Sequence, residues 1–198
     1  MKDTIIIWVL LIYWIMEEID GIFKIVIAGD KAVKRVILNT YFQNKEQFCE
    51  DVYCKIVERN NEIIKIIVWN LEFFENNFIK LLPKYCEHTK GFFFVYDISN
   101  KDTFICIDDA IYKTTEKCND PTIIIVGNQI GQDRKVTFEE GLAKSECYNA
   151  SFMEVSTDDK ENIDMAFNII IDELMLKGNN EYENTIELEI NKLYKFNC

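Results

Sequence analysis

Short apolar runs alternate along the chain with segments whose apolar positions recur at helical spacing. The runs predict buried strands, because a strand covered on both faces is apolar on both. Two β-rich runs, at 51–58 and 63–69, predict further strands, so that in chain order the runs lie at residues 23–28, 51–58, 63–69, 91–96, 122–126 and 151–155. The segments between them predict helices at 33–42, 101–117, 137–147 and 162–176, with one more helix between the third and fourth strands. Phe92, Phe93 and Phe94 lie in the fourth run and are expected in the core rather than in an aromatic binding site.

The segment at 59–62, Arg-Asn-Asn-Glu, joins the second run to the third and predicts a β-hairpin. The other strands alternate with helices, which predicts parallel pairing and helices on both faces of the sheet. The fold class is therefore α/β, with a mostly parallel six-stranded sheet and one antiparallel hairpin edge. Ligands of such sheets bind at the carboxyl ends of the strands. Those ends follow Ala28, Trp69, Val126 and Val155.

Charge and composition limit the classes of function. The chain has 198 residues with 22 Lys and Arg against 34 Asp and Glu, a formal net charge of −12. Nucleic-acid binding relies on cations that neutralise phosphates, so no nucleic-acid partner is expected. The seven cysteines lack a CxxC pair, which favours reduced thiols over a zinc site. His88 is the single histidine and no nucleophile motif accompanies it, so no catalytic set is visible.

The two ends of the chain differ from its middle. Residues 5–16 form an apolar run that is shorter than the roughly 20 residues a membrane-spanning helix needs. We interpret residues 1–15 as a leader, either a dispensable extension or a membrane-surface anchor, and residues 16–177 as one domain. Residues 178–198 form an acidic tail that ends in Cys198.

An altered phosphate-binding motif follows the first strand. A P-loop reads GxxxxGK[ST]: its glycines let backbone amides wrap the phosphates, its lysine reaches the terminal phosphates and its hydroxyl binds Mg²⁺. Gly29 matches the first glycine. The second glycine, the lysine and the hydroxyl residue of the motif are replaced by Lys34, Arg35 and Val36.

Residues 22–176 as a whole resemble a small GTPase of the Ras superfamily, and most of all its Rab branch. The matching segments are FKIVIAGDKAV, the Trp69-Asn70 junction, GFFFVYDIS, IIIVGNQ and FMEVS. The resemblance implies a three-layer P-loop small-GTPase-like fold with six strands and five helices. It also implies binding of GTP or GDP with Mg²⁺, GTP hydrolysis, and a switching role in vesicle-mediated transport through protein effectors.

The residues that carry the family's chemistry differ in this sequence. The first switch, between residues 42 and 51, is shortened and keeps no threonine for Mg²⁺. The family's DTAGQ reads NLEFF at 70–74, its NKxD reads NQIG at 128–131 and its SAK reads STD at 156–158. The motif positions that still match are Gly29, Asn128 and Ser156.

These departures predict altered site chemistry. Mg²⁺ prefers charged oxygen ligands, so Val36 and Asn70 predict no tight Mg²⁺ site and no metal ligand is assigned. Gly131 has no side chain to accept hydrogen bonds from guanine. In sites built around such hydrogen bonds, the bonds contribute selectivity factors on the order of 10⁴–10⁵. Phe74 has no polar atom to orient a water molecule, so no residue is assigned a catalytic role.

Lys34 and Arg35 keep positive charge beside the N-terminus of the first helix, where an anion is favoured. One interpretation is weak, metal-independent binding of GTP, GDP or phosphate, and the other is that both side chains face solvent. The nucleotide-binding candidates are Gly29, Asp30, Lys31, Ala32, Val33, Lys34, Arg35, Asn128 and Ser156.

Three hypotheses follow for the function. The first is a pseudoGTPase, a Rab-like domain that has lost its switch and acts by binding protein effectors or trafficking factors. The second is a divergent but working GTPase that uses Arg35 on the phosphates, and the third is a decaying gene. A cytoplasmic protein is expected, with peripheral association at the cytosolic face of endomembranes if Cys198 is prenylated.

Overall fold

One mixed sheet forms the centre of the computed structural model, which describes residues 19–43, 47–49, 51–71, 89–131, 133–156 and 159–177. Within these residues the strands are β1 (Gly21–Gly29), β2 (Gln47–Cys49), β3 (Val52–Arg59), β4 (Glu62–Asn70), β5 (Gly91–Asp97), β6 (Thr122–Asn128) and β7 (Ser151–Val155). Their order across the sheet is β2-β3-β4-β1-β5-β6-β7. The pairs from β4 through β1, β5 and β6 to β7 are parallel, whereas β2, β3 and β4 pair antiparallel.

Helices cover both faces of this sheet. In the described ranges they are α1 (Lys31–Phe42), α2 (Lys101–Lys117), α3 (Phe138–Cys147) and α4 (Lys160–Leu176). α1 and α4 pack on one face, and α2 and α3 pack on the other. Phe93 lies in the core between the sheet and helices α1 and α4, and Phe92 and Phe94 lie in the core on the opposite face. All three are fully buried, as predicted. The α/β fold class is confirmed.

The hairpin between β3 and β4 turns through two asparagines. Asn60 and Asn61 have φ angles of 52° and 64°, and the pair Arg59–Glu62 closes the ladder. Asparagine tolerates this left-handed conformation, and two such residues continue the natural twist of the strands. The predicted hairpin is confirmed. Its last β3 residue also reaches α4, because Arg59 forms a bidentate pair with Asp172 at 2.7 Å and 2.5 Å.

Aromatic residues join α4 to α1 and to the sheet. Phe167 of α4 stacks on Tyr41 of α1, with ring centroids 3.6 Å apart. The same ring lies 4.7 Å from the ring of Phe93 on β5. This face of the sheet is therefore fully covered only when α4 is in place beside α1.

The structure differs from the sequence prediction at β2 and at Cys118. β2 is a seventh strand that was not predicted, because three residues give no apolar run. Cys118 is disulfide-bonded, so the prediction of reduced thiols is wrong there. Cys118 is also buried, at 6% exposure, which the spacing of cysteines along the sequence does not reveal. Cys106 and Cys147 are free thiols.

Several predicted features lie outside the described residues. These are the leader at 1–15, the helix between β4 and β5, Phe74, His88, and the tail with Cys198. In the part of the chain that is described, no helix is long and apolar enough to cross a membrane.

Candidate functional site

Gly29 fixes the turn from β1 into α1. Its φ of +125° lies in the region that favours glycine. A Cβ atom at this position would lie 2.0 Å from the carbonyl oxygen of Val95 on β5. The same carbonyl accepts a hydrogen bond from the amide of Asp30 at 3.0 Å. The chain can turn this closely against β5 only because residue 29 has no side chain.

Asp30 caps the N-terminus of α1. Its Oδ1 atom accepts hydrogen bonds from the amides of Ala32 and Val33, each 2.9 Å long. α1 begins at Lys31, so the residues from position 31 onwards that align with the P-loop motif are helical. A P-loop keeps this stretch open so that its amides can surround phosphates. Along the described chain from Gly29 to Lys31, no open loop separates β1 from α1.

Lys34 is turned into the protein. It is 1% exposed, and its ammonium donates a hydrogen bond to the carbonyl oxygen of Leu71 at 2.5 Å. The amide of Leu71 donates to the carbonyl of Ile27 at 3.0 Å, so the ammonium reaches chain that continues β4 beside β1. The interpretation that Lys34 faces solvent is wrong, because the helical phase of α1 turns it toward the sheet. Arg35 is exposed, which is compatible with either interpretation.

β4 ends at Asn70, which occupies the position of the family's metal-linked aspartate. The backbone amide of Asn70 donates a hydrogen bond to the backbone carbonyl of Asp51 at 2.8 Å. Its side-chain Oδ1 is buried and has no hydrogen-bond partner within the described part of the chain. A neutral amide attracts a divalent cation less than a carboxylate does. Val36, half-buried on α1, has no side-chain oxygen to add.

Asn128 ties the ends of β6 and β7 together. It is fully buried, and its Nδ2 donates to the carbonyl of Val155 at 2.8 Å. Its Oδ1 is buried without a partner in the described residues. Ser156 directly follows Val155, the last residue of β7, and is exposed. The two candidates therefore lie at neighbouring strand ends, and β5 separates them from the β1–α1 turn.

The loop after β6 is closed onto Asp97, the last residue of β5. The Asp97 Oδ1 atom accepts hydrogen bonds from the hydroxyl and amide of Ser99, at 2.6 Å and 2.9 Å, and from the amide of Ile130 at 3.1 Å. Burial alone would raise the pKa of Asp97, but these hydrogen bonds outweigh it and lower the pKa. The Ser99 hydroxyl also accepts from the amide of Gly131 at 2.8 Å.

Gly131 stands where the family has the aspartate that reads guanine. A Cβ atom here would lie 2.5 Å from the hydroxyl of Ser99. The space that an aspartate side chain would enter is therefore taken by the hydroxyl that closes the loop.

An exposed ion pair fastens the next part of this region to β7. The guanidinium of Arg134 donates to both carboxylate oxygens of Glu154 at 2.7 Å, and to the carbonyl of Val136 at 3.0 Å. The hydrogen bonds from Arg134 to Glu154 raise the pKa of the guanidinium, because they favour its charged form.

Sequence reasoning missed the residues that close this edge. Asp97 and Ser99 form an Asp-x-Ser pattern after a buried strand, which is a signal for an aspartate that bonds its own backbone two residues on. Lys34 and Leu71 give no such local signal, because they are 37 residues apart.

The described residues do not fit a guanine nucleotide in the manner of a P-loop protein. A phosphate would need the amides of Ala32 and Val33, which already donate to Asp30, and that carboxylate would repel it. At the base end, Gly131 offers no carboxylate to guanine. In the described ranges, no group of three or more His, Cys, Asp or Glu side chains is arranged to hold a metal ion.

Comparison with known proteins identifies the relatives of this framework. A family model described as the Ras family matches residues 24–176, which run from β1 to the end of α4. The chain belongs to the Ras family. The match spans all the described strands and helices that hold the candidate site, so the predicted resemblance to small GTPases is confirmed.

Individual relatives are of the Rab type and of modest identity. The Ras-related protein RABA6a of Arabidopsis thaliana is 29% identical over 166 residues, covering 78% of this chain and 70% of RABA6a. RABA5b of the same plant is 28% identical over 188 residues, covering 88% of this chain and 86% of RABA5b. The Ras-related protein Rab-1 of Theileria parva is 27% identical over 166 residues, covering 78% of this chain and 75% of that protein.

Proposed function

We propose that this Ras-family chain is a Rab-like pseudoGTPase of intracellular vesicle trafficking, which acts by binding proteins rather than by switching with nucleotide. Similarity to Ras-related Rab proteins supports the trafficking role. Family membership supports protein effectors or trafficking factors as the partners.

The observation that carries the loss of switching is the start of α1 at Lys31. Past the first turn of a helix, each amide already donates to a carbonyl four residues earlier. The amide of Lys34 does so, donating to the carbonyl of Asp30 at 2.9 Å. An approaching phosphate therefore meets a closed helix instead of a ring of available amides. We expect GTP and GDP to bind weakly or not at all, and Mg²⁺ to add little.

The proposed location is cytoplasmic, with peripheral endomembrane association where Cys198 carries a prenyl group. A single prenyl chain gives only marginal membrane binding, and the acidic tail opposes anionic lipids. Mass analysis of the C-terminal peptide from native material tests this part. An unmodified peptide rejects prenylation and leaves the protein-binding proposal standing.

A nucleotide inventory tests the main proposal. The full chain is purified and denatured, and the released nucleotides are separated by ion exchange. Fluorescent GDP, GTP and ATP are then titrated into native protein with Mg²⁺ and with chelator. We expect a folded protein without stoichiometric nucleotide, whose response to all three is weak and independent of Mg²⁺. Near-stoichiometric GDP or GTP with tight, Mg²⁺-dependent binding would reject the pseudoGTPase.

A divergent but working GTPase is the second candidate. Arg35 favours it, because this residue is exposed and keeps a guanidinium near the N-terminus of α1, where it could pair with phosphate oxygens. In that case Arg35→Ala should abolish GTP binding. Lys160→Ala, which removes an exposed cation at the start of α4, is the matched control and should leave binding unchanged.

A further inference from the structure

Two charged side chains of the β1–α1 turn are engaged by the chain itself. The carboxylate of Asp30 accepts from two amides at the N-terminus of α1, at 2.9 Å each. Four residues on, the buried ammonium of Lys34 donates to the carbonyl of Leu71, just beyond β4. An anion and a cation thus lie at adjoining places along this edge of the sheet.

We propose that Asp30 and Lys34 are a built-in replacement for a nucleotide and its cation, and hold this edge in one arrangement without any ligand. The inference rests on the proposed function, since a domain that exchanged nucleotide would need these places to be available. It adds to that function a reason for stability in the empty state.

Asp30 supplies the anion. The N-terminus of a helix carries partial positive charge and unbonded amides, which is why phosphates bind there. A carboxylate attached to the preceding residue satisfies the same amides and cannot diffuse away. Ala32 and Val33 are therefore capped whenever the domain is folded.

Lys34 supplies the cation. In nucleotide switches, the terminal phosphate and its Mg²⁺ hold mobile segments, which are released on hydrolysis. Here the group that holds the carbonyl of Leu71 is an ammonium on α1. A buried charge without hydrogen bonds is costly, so the ammonium and its acceptor stay together. No hydrolysis step can remove this contact, so the position of Leu71 does not depend on a bound nucleotide.

Hydrogen exchange on the full chain tests the cation. The readout is the amide of Leu71, which donates to the carbonyl of Ile27. Lys34→Met keeps most of the side-chain volume and removes the ammonium, and we expect this amide to exchange about ten times faster or more. Arg35→Met, the neighbouring exposed cation, is the matched control and should leave exchange unchanged. Equal protection of Leu71 in wild type and Lys34→Met would overturn the inference.

Thermal melting with inorganic phosphate tests the anion without relying on the folding of Lys34→Met. Asp30→Ala uncovers two amides, so phosphate at matched ionic strength should raise its melting temperature and leave that of wild type unchanged. Asp159→Ala is the matched control: it removes the aspartate that caps α4 through one amide, of Asn162, and should respond less. If the melting temperatures of both wild type and Asp30→Ala are unchanged by phosphate, the inference fails. Should Lys34→Met not fold, this measurement alone decides whether the inference stands.

The two levels of the proposal fail differently. If GTP or GDP with Mg²⁺ increases the protection of Leu71 in wild type, the proposed function fails. If nucleotides change nothing and Lys34→Met also changes nothing, the proposed function stands and the built-in replacement is rejected.

Discussion

The β1–α1 turn and the loop after β6 lie at the same edge of the sheet, and one aspartate closes each of them. Asp30 closes the first through backbone amides of a helix, beside the buried Lys34. Asp97 closes the second through Ser99 and through the amide of Ile130, a residue that is 42% exposed. Both closures use a half-buried carboxylate, but only the first lies beside a buried charged side chain, that of Lys34.

Because of this difference, we expect the loop after β6 to open more readily than the β1–α1 turn. Rotation of the Ser99 side chain would release two of the hydrogen bonds that close the loop after β6, because its hydroxyl bridges Asp97 and Gly131. Loosening the β1–α1 turn would require the first turn of α1 to unwind and a buried ammonium to lose its acceptor. We therefore expect substitutions in the loop after β6 to cost less stability than substitutions in the β1–α1 turn.

Paired glycine substitutions give the largest expected contrast. Gly29→Ala places a Cβ atom against the backbone of Val95 at a positive φ, so we expect a loss of about 3 kcal/mol or more of unfolding free energy, or failure to fold. Gly131→Ala meets the side chain of Ser99, whose displaced hydroxyl costs about 1 kcal/mol in lost hydrogen bonds. Urea unfolding of both variants measures the contrast. Equal losses would contradict the expected difference between the two closures.

Acid titration sharpens the account of the Asp97 closure. The folded-state pKa of Asp97 is lowered, so its stabilising effect is complete above the ordinary carboxylate pKa of about 3.9 and is lost as pH falls through the folded value. We expect Asp97→Asn to lower the unfolding free energy by about 1 kcal/mol at pH 7. The gap between wild type and variant should then narrow as pH falls below about 4.

Urea unfolding from pH 7 to pH 3 measures this gap. Glu140 and Asp172 also have lowered pKa values, because they bond Lys101 and Arg59 respectively, so both proteins lose stability in acid. Their contribution cancels in the difference. A gap that is constant over this range would show that the charge of Asp97 is not what closes the loop.

The smallest effect is expected at the ion pair between Arg134 and Glu154. Arg134 is 42% exposed in its side chain, and exposed pairs contribute about 0–1 kcal/mol. Arg134→Gln should therefore lower the unfolding free energy by less than about 1 kcal/mol, and high salt should reduce the difference. A double-mutant cycle with Glu154→Gln, measured in low and high salt, checks it. A coupling energy larger than the loss from Gly131→Ala would contradict the ranking of this ion pair below the closure of the loop after β6.

Much of the framework could be predicted because its signals are local. The apolar run at 91–96 predicts β5, and two asparagines between β-rich runs predict the hairpin. The predicted helix at 101–117 coincides with α2, since Asn100 caps it by accepting from the amide of Asp102. Such features depend on neighbours a few residues away, which the sequence displays directly.

For the site, the sequence could predict which edge of the sheet holds it and which residue types stand there, but not the contacts that they make. A lysine at position 34 indicates a solvent-exposed cation when read alone, and its burial depends on the carbonyl of Leu71. The closure of the loop after β6 likewise depends on Asp97, from a different strand. Contacts between distant parts of the chain decide both arrangements, and hydrophobic periodicity carries no information about them.

The packing of Phe167 against Tyr41 and Phe93 sets the order of events during synthesis. β1, α1 and the hairpin are translated first, yet the core on their face of the sheet includes α4, the last described element. At about 5–20 residues per second, the ribosome takes several seconds to make the chain between these parts. During that time the apolar side chains of α1 lack their partner. Part of the core around Tyr41 and Phe93 therefore stays uncovered until α4 has been synthesised.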